Sequence, residues 1–213
     1  MLIGAIPSGP LETNAYVIGC ENSHLAAIID PAPASSSLII KYLTDHQLTP
    51  KSIILTHSHW DHIADVAEVK RHFAIPVLIH KGDAKNLQMP GSDGLPCWIA
   101  IEGVKPDLFL SEGDKIEIGD LRLKVIHTPG HTPGCICLYE EAHRVLISGD
   151  TLFKGTIGNI SFPTSLPKLI WQSLDKLAKL PGDTVVYPGH GEKTTIASES
   201  WLKNAEKIFG DSL

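Results

Sequence analysis

Residues 52–62 have the sequence SIILTHSHWDH, an apolar run followed at once by three histidines and an aspartate. The apolar run predicts a buried strand. His57 and His59 are two residues apart directly after it, so both side chains can point to one side of an extended loop. Asp61 and His62 follow at the start of the next predicted helix. Imidazole nitrogens grouped with a carboxylate are typical metal ligands, so this stretch predicts a metal site.

Three later segments repeat the arrangement of an apolar strand followed by a polar turn. His131 lies in a proline-glycine loop, Asp150 ends another strand, and His190 follows a third. Loops at the carboxyl ends of strands gather at one edge in α/β folds, where ligands bind. Together the segments offer five histidines and two aspartates, more than one tetrahedral zinc ion uses, which favours two divalent metal ions. Zinc is expected first, although these donors also suit iron or manganese.

Hydrophobic periodicity predicts an α/β chain. In the first half, strands are predicted over residues 16–18, 26–29, 52–55 and 76–80, and helices over 38–43 and from Asp61, as a possible N-cap, to Phe73. Residues 81–112 are predicted to be irregular. In the second half, strands are predicted over 115–118, 121–127, 135–139, 145–148 and 184–187, and helices over 166–180 and 197–209. The similar content of the halves predicts two stacked halves in a single domain, residues 1–213.

Composition limits the partners and the compartment. The chain has 213 residues and a net charge of -6, which disfavours binding to a nucleic-acid backbone. The first ten residues lack a secretory signal, and no apolar run is long enough for a membrane span. The four cysteines form no CxxC pair and are interpreted as reduced core thiols. We therefore expect a cytoplasmic protein with no membrane or nucleic-acid partner, whereas the oligomeric state is not predicted.

The seven candidate ligands resemble the signature of the metallo-β-lactamase superfamily, which reads H-x-H-x-D-H, a lone histidine, a bridging aspartate and a final histidine. The resemblance implies a four-layer αβ/βα sandwich, with two sheets face to face, helices outside and metals at one edge. It implies that the first ion is bound by His57, His59 and His131. It implies that the second ion is bound by Asp61, His62 and His190. Asp150 would bridge both ions, and Asp30, after an early strand, would support the site from behind the ligands.

Within the superfamily, the closest resemblance is to short, single-domain type II glyoxalases, the hydroxyacylglutathione hydrolases. It rests on TPGHTPG at 128–134, GDTLF at 149–153 and PGHG at 188–191. Only 23 residues follow His190, so we expect no C-terminal helical domain of the kind that helps longer members hold glutathione. The lysine and tyrosine that longer members place for glutathione correspond to Asn159 and Ser161. The resemblance thus implies a small thioester substrate such as S-lactoylglutathione.

The expected reaction is hydrolysis by a hydroxide that bridges the two metals. Two ions sharing a water lower its pKa from about 16 to about 7. Asp61 would hold this hydroxide in line for attack, and Asp150 is the second residue assigned a catalytic role. Substrate contacts are predicted for Phe153, Lys154 and Asn159, with Lys154 meeting a substrate carboxylate.

Other functions stay open at this stage. The related persulfide dioxygenases keep similar ligands around one iron, and another hydrolase of the same fold is a further alternative. Asp150 argues against β-lactam hydrolysis, because β-lactamases of this superfamily generally lack the bridging aspartate. The absence of a basic cluster argues against a nuclease. Residues 89–98 are interpreted either as a lid or as an ordinary surface loop.

Overall fold

The first of two large sheets is built mainly from the N-terminal half of the chain. A computed structural model describes residues 1–210. The sheet contains six strands: β1 (Leu2–Ser8), β2 (Thr13–Gly19), β3 (Leu25–Ile29), β4 (Thr49–Ile54), β5 (Val77–His80) and β6 (Leu108–Leu110). They lie in sequence order across the sheet. The pairs among β1, β2 and β3 are antiparallel, and those from β3 to β6 are parallel.

The second sheet comes from the C-terminal half. Its six strands are β7 (Lys115–Ile118), β8 (Leu121–His127), β9 (Ile136–Glu140), β10 (Val145–Gly149), β13 (Val185–Pro188) and β14 (Thr194–Thr195). Their order is β14-β13-β10-β9-β8-β7, and only the β10–β13 pair is parallel. A small hairpin, β11 (Leu152–Phe153) and β12 (Thr156–Ile157), follows β10.

Within residues 1–210, six helices accompany the sheets. They are α1 (Ser36–Asp45), α2 (Trp60–Ile63), α3 (Val66–Phe73), α4 (Ala84–Gln88), α5 (Pro167–Leu177) and α6 (Ala205–Phe209). Two 3-10 turns, Lys81–Asp83 and Ser200–Asn204, precede α4 and α6. None of these described helices has both the length and the apolar character needed to cross a membrane.

Three buried clusters show how the layers stack. The middle cluster joins the facing sides of the two sheets, with Ile29 of β3 and Leu138 of β9 among its members. A second cluster joins the outer side of the first sheet to α1 and α3, and includes Ile39. A third joins the outer side of the second sheet to α5, and includes Leu174. Because each sheet is covered on both sides, inner strands such as β3 and β10 are almost continuously apolar, whereas β8 near the sheet edge alternates with exposed charged residues. The predicted four-layer αβ/βα sandwich is confirmed.

The helix predicted from Asp61 to Phe73 is in fact two helices. Asp61 is not a helix cap, since His59 holds that position in α2 and Asp61 lies in the first turn. The break falls at Asp65, the N-cap residue of α3. Its carboxylate accepts a hydrogen bond from the Ser36 N–H at 2.8 Å, which ties the start of α3 to the start of α1. A tertiary contact therefore ends a helix that periodicity alone would continue.

Several other segments differ from the sequence prediction. Residues 81–112 are not wholly irregular, because they contain α4 and β6. Residues 197–209 hold a 3-10 turn and α6 rather than one long helix. Strand β1 was not predicted, since Gly4 and Pro7 both disfavour strands. Pro7 is tolerated because β1 is an edge strand. Gly4 lies under the Tyr42 ring, where an added Cβ would come within 2.5 Å.

Candidate metal centre

All seven predicted ligands lie at one edge of the sandwich, just beyond the carboxyl ends of strands. β4 leads to His57 and His59, and the helix that follows carries Asp61 and His62. The loop after β8 carries His131, β10 leads to Asp150, and β13 leads to His190. The two sheets are joined here by a hydrogen bond of 2.9 Å from the Ile136 N–H to the Thr56 carbonyl. The fold therefore brings together residues that are up to 133 positions apart.

Three buried imidazoles form the first half of the centre. His57, His59 and His131 each offer a ring nitrogen, and these nitrogens all lie within 4.8 Å of one another. The Nε2 atom of each ring is buried and has no hydrogen-bond partner among residues 1–210. Buried polar atoms in folded proteins are nearly always paired. Three unpaired ring nitrogens grouped this closely fit a bound cation.

The second half is formed by Asp61, His62 and His190, whose ligand atoms also lie within 4.8 Å of one another. The Asp61 Oδ2 atom is 3.2 Å from His190 Nε2 and 3.4 Å from His62 Nε2. Asp61 and His62 are buried, whereas the His190 side chain is 28% exposed. This half therefore opens toward solvent at His190.

Asp150 lies between the two halves. Its Oδ2 atom is 3.4 Å from His131 Nε2 and 3.6 Å from His190 Nε2. Its Oδ1 atom is 3.4 Å from His62 Nε2 and, within the described chain, accepts no hydrogen bond. A carboxylate within 4 Å of histidines from both sets is placed to share its oxygens between two ions. The donor set therefore indicates a dinuclear centre and leaves the metal identity open.

The second ring nitrogens are held by groups outside the ligand set. His62 Nδ1 is 3.0 Å from Asp30 Oδ2. His131 Nδ1 is 2.6 Å from the Asn159 carbonyl, and His190 Nδ1 is 3.0 Å from the Leu11 carbonyl. An acceptor at Nδ1 keeps the proton there and leaves Nε2 free to bind a metal.

Asp30 is the predicted support behind the ligands, and the structure places it there, 1% exposed. Besides His62, it accepts hydrogen bonds from the Thr56 N–H (2.7 Å) and the Thr56 hydroxyl (2.5 Å). The Thr56 hydroxyl is in turn 3.1 Å from His57 Nδ1. One carboxylate thus orients ligands on both sides of the centre.

The charges of the centre suit a cation. Burial lowers the pKa of His57 well below its usual range and that of His59 to about 3, and nearby imidazoles add to both effects. Burial alone would raise the pKa of Asp150, but His62 and other imidazoles lower it to about 2. Burial also opposes a charge on His62, yet Asp61 and Asp150 raise its pKa well above the usual range. At neutral pH the imidazoles of the three-histidine half are therefore neutral beside an ionised Asp150, whereas His62 keeps a proton that a metal would displace.

The predicted substrate contacts fall in three different situations. The Phe153 ring centroid is 6.1 Å from that of His190, at the open side of the centre. Lys154 Nζ is 2.6 Å from Glu192 in an exposed ion pair, so its charge is already partnered. The Asn159 side chain accepts a hydrogen bond from the Ser161 N–H, whereas its backbone carbonyl holds His131.

Three site residues escaped sequence reasoning. Thr13 donates a hydrogen bond of 2.7 Å to Asp61 Oδ2. Phe162 is half-buried, with its ring centroid 5.4 Å from His59 and 5.6 Å from His131. Asp83 is a buried carboxylate that binds the loops carrying the ligands. Thr13 and Phe162 lie in segments without a ligand motif, so no sequence signal pointed to them.

The segment interpreted as a lid or a surface loop reaches the centre indirectly. Trp98 is 75% exposed, and its ring centroid is 5.7 Å from that of Trp60, with the planes nearly perpendicular. Trp60 is buried between the ligands His59 and Asp61 in sequence. The loop therefore packs against the ligand-bearing segment through one aromatic contact.

Comparison with known proteins identifies the family to which the chain is similar. A family model described as "Metallo-beta-lactamase superfamily" matches residues 8–190. The hydroxyacylglutathione hydrolase GloC of Haemophilus influenzae is 32% identical over 206 residues, covering 93% of this chain and 95% of that protein.

Two solved structures are similar over almost their whole length. The crystal structure of the BLEG-1 B3 metallo-beta-lactamase has a TM-score of 0.86 and 37% identity, covering 93% of this chain and 96% of the other. The crystal structure of TTHA1623 in a di-iron-bound form has a TM-score of 0.81 and 34% identity, covering 92% and 96%.

Proposed function

This chain belongs to the metallo-beta-lactamase superfamily, and on that basis we propose that it hydrolyses a small thioester, with S-lactoylglutathione as the first candidate. The observation that carries the proposal is the convergence of the buried, unpartnered Nε2 atoms of His57, His62 and His131 on the Asp150 carboxylate, at 3.4 to 4.0 Å. This arrangement fits two cations and supports metal-dependent hydrolysis. The resemblance to type II glyoxalases and the similarity to GloC support the thioester as substrate.

Asp61 and Asp150 would have different roles in the hydrolysis. When bound, two divalent ions make a water acidic enough to be deprotonated near neutral pH and polarise the substrate carbonyl. Asp61 would orient the attacking oxygen, because Thr13 fixes its Oδ2 atom and His190 lies 3.2 Å from the same atom. Asp150 would keep the two halves at a constant separation. The attacking oxygen, which has given one proton to solvent, bonds to the acyl carbon, the C–S bond breaks, and a thiolate and a carboxylic acid leave.

Two half-buried phenyl rings flank the centre from opposite sides and would bound the substrate. Phe162 lies against the three-histidine half, and Phe153 lies beside His190. Lys154 could reach a substrate carboxylate only by leaving Glu192. That exchange costs little, because a fully exposed ion pair is screened by solvent and contributes little to stability. We propose that Lys154 leaves Glu192 and binds the substrate carboxylate instead.

The test is thiol release from S-lactoylglutathione by the metal-loaded protein. We expect Asp150→Ala to lose at least about 100-fold in kcat/KM, because the carboxylate shared by both halves is removed. Asp183→Ala is the matched control, since Asp183 is 71% exposed and pairs with Arg144 before β13, at the end away from His190. Equal rates for wild type and Asp150→Ala would refute the proposal.

A second candidate is β-lactam hydrolysis, which the likeness to the BLEG-1 B3 metallo-beta-lactamase favours. The same donor set could act on an amide carbonyl, although a ring nitrogen leaves less readily than a thiolate. Parallel kcat/KM values on S-lactoylglutathione and on a chromogenic cephalosporin decide between them. A higher value on the cephalosporin would replace the thioester proposal.

A third outcome is oxygen chemistry at a single iron. The short His190–Asp61 distance favours two filled halves instead. Oxygen uptake with a persulfide substrate, together with one bound iron per chain, would overturn the hydrolase proposal. We place the activity in the cytoplasm, consistent with four cysteines that are all free.

A further inference from the structure

Asp83 is a buried carboxylate that lies outside the seven-ligand set and contacts two of the ligand loops. It ends the 3-10 turn after β5 and is 3% exposed. Its Oδ2 atom accepts hydrogen bonds from the Ser58 N–H (2.9 Å) and the Thr132 hydroxyl (2.8 Å). Its Oδ1 atom accepts one from the Gly134 N–H at 2.7 Å. Ser58 separates His57 from His59, and Thr132 follows His131, so one side chain holds both loops of the three-histidine half.

The Ser58 peptide is also held from its other side. Asn86, one turn along the chain from Asp83, donates a hydrogen bond of 2.6 Å to the Ser58 carbonyl. The Asn86 amide also donates to Asp93 Oδ2 at 2.8 Å, which fixes the direction of the amide. Both polar groups of the residue between His57 and His59 are thus bound by one short segment.

Close packing adds a second, independent constraint at Gly134. A Cβ added there would lie 2.5 Å from Asp83 Oδ1 and 2.6 Å from the Asp83 nitrogen. A Cβ added at Gly82 would lie 3.0 Å from Gly134 Cα. The two glycines let the turn and the loop after His131 approach closely enough for the carboxylate to accept three hydrogen bonds.

We propose that Asp83 is a positioning residue that sets the separation between the His57–His59 loop and the His131 loop, and so the affinity of the three-histidine half for its metal. Among the described residues, its side chain accepts hydrogen bonds from Ser58, Thr132 and Gly134 and from no ligand ring, so it acts through these three residues. Asp61, His62 and His190 are held by Thr13, Asp30 and Leu11 instead. The effect is therefore confined to one half. This inference rests on the metal centre of the proposed function and not on its substrate.

Asparagine at position 83 is the informative replacement, because it keeps the shape and removes one acceptor. If its oxygen faces Ser58, its amide meets the Gly134 N–H as a second donor; if it is turned round, it meets the Ser58 N–H. One ligand loop therefore has to move in either orientation. Replacing the groups that orient metal ligands typically weakens binding by about 10- to 100-fold.

The experiment measures each half separately by zinc titration against a chelator. Asp83→Asn is placed in a His190→Ala background, which retains the three-histidine half, and in a His131→Ala background, which retains the other. We expect the zinc Kd to rise about 10- to 100-fold in the first background and less than about threefold in the second. Equal effects in both, or none in the first, would overturn the inference. Wild type that binds no zinc would overturn both this inference and the proposed function.

Two further variants separate positioning from general loss of structure. Gly134→Ala pushes a methyl group against the same carboxylate, so we expect the same one-sided loss of zinc affinity. Glu140→Gln is the matched control, because Glu140 is also a buried carboxylate that accepts a backbone N–H, that of His143, at the far end of β9. It should leave both affinities within about twofold. A loss in Glu140→Gln as large as that in Asp83→Asn, or two-sided losses in Gly134→Ala, would contradict the positioning role. Loss of thioesterase activity with normal zinc binding would instead count only against the proposed substrate.

Discussion

Replacing Asp30 by asparagine probes how the centre fixes the proton on His62. The carboxylate accepts three hydrogen bonds: Oδ1 takes the Thr56 N–H, and Oδ2 takes the Thr56 hydroxyl and His62 Nδ1. Asparagine keeps the shape but has one oxygen and one amide nitrogen. If the nitrogen takes the place of Oδ1, it faces the Thr56 N–H at about the 2.7 Å of the original bond. If it takes the place of Oδ2, it faces His62.

Each orientation has a distinct consequence. Facing Thr56, the amide leaves a buried donor unpaired, which costs about 1–3 kcal/mol of folding stability. Facing His62, it meets the Nδ1 proton as a second donor. The form of His62 that binds a metal through Nε2, with its one proton on Nδ1, then loses the acceptor of that proton. A penalty of 1–3 kcal/mol lowers the affinity of the second half by roughly 5- to 150-fold.

The assay combines calorimetric titration of the second metal equivalent with the urea midpoint and with NMR of the His62 ring nitrogens. Asp107→Asn is the control, because Asp107 also accepts a backbone N–H, that of Val77, but lies at a remote surface. We expect Asp30→Asn to lose about 1–3 kcal/mol, either in the free energy of binding the second metal, in the free energy of unfolding, or divided between the two. Unchanged affinity, unchanged stability and a proton that stays on His62 Nδ1 would refute the reasoning.

Three further perturbations test the roles of Asp150, Lys154 and His62. Gly189→Ala would place a Cβ 2.0 Å from Asp150 Oδ1. The Asp150 carboxylate then has to move by about 1 Å, which should lower kcat about 100-fold, measured by thiol release at full metal loading. Glu192→Gln frees Lys154 from its ion pair, so KM for S-lactoylglutathione should fall about two- to fivefold. Adding Lys154→Ala to this variant should return KM to the wild-type value or above. An unchanged KM in Glu192→Gln would show that Lys154 does not contact the substrate. Because acidic neighbours raise the pKa of His62 despite its burial, the second metal displaces a proton, and its affinity should fall about tenfold for each unit that the pH drops below that pKa. Calorimetry in buffers of different ionisation enthalpy would measure the released proton, and a pH-independent affinity would contradict the assignment.

The sequence predicts the strands and the ligands best where an apolar strand is followed directly by a metal-binding residue. Buried strands followed by His57, Asp150 or His190 could be recognised because an apolar run and a metal ligand adjoin in sequence. The fold then places those strand ends at one edge. The four-layer sandwich followed from the same strands together with the family resemblance.

The unpredicted part depends on contacts between distant segments. Backbone carbonyls of Leu11 and Asn159 hold ligand rings, and a carbonyl carries no residue-specific signal. The break before α3 depends on Asp65 meeting Ser36 from another helix. Asp83 looked like an ordinary acidic residue in a segment predicted to be irregular, and only the fold shows the loops it joins.

The central claim is that both halves of the centre are filled when the protein hydrolyses a thioester. The most direct measurement follows thiol release from S-lactoylglutathione while metal-free protein is titrated with zinc, with bound metal counted at each step. We expect little activity up to one equivalent and a rise to the full rate between one and two equivalents. Full activity at one equivalent, or no thiol release at two, would contradict it.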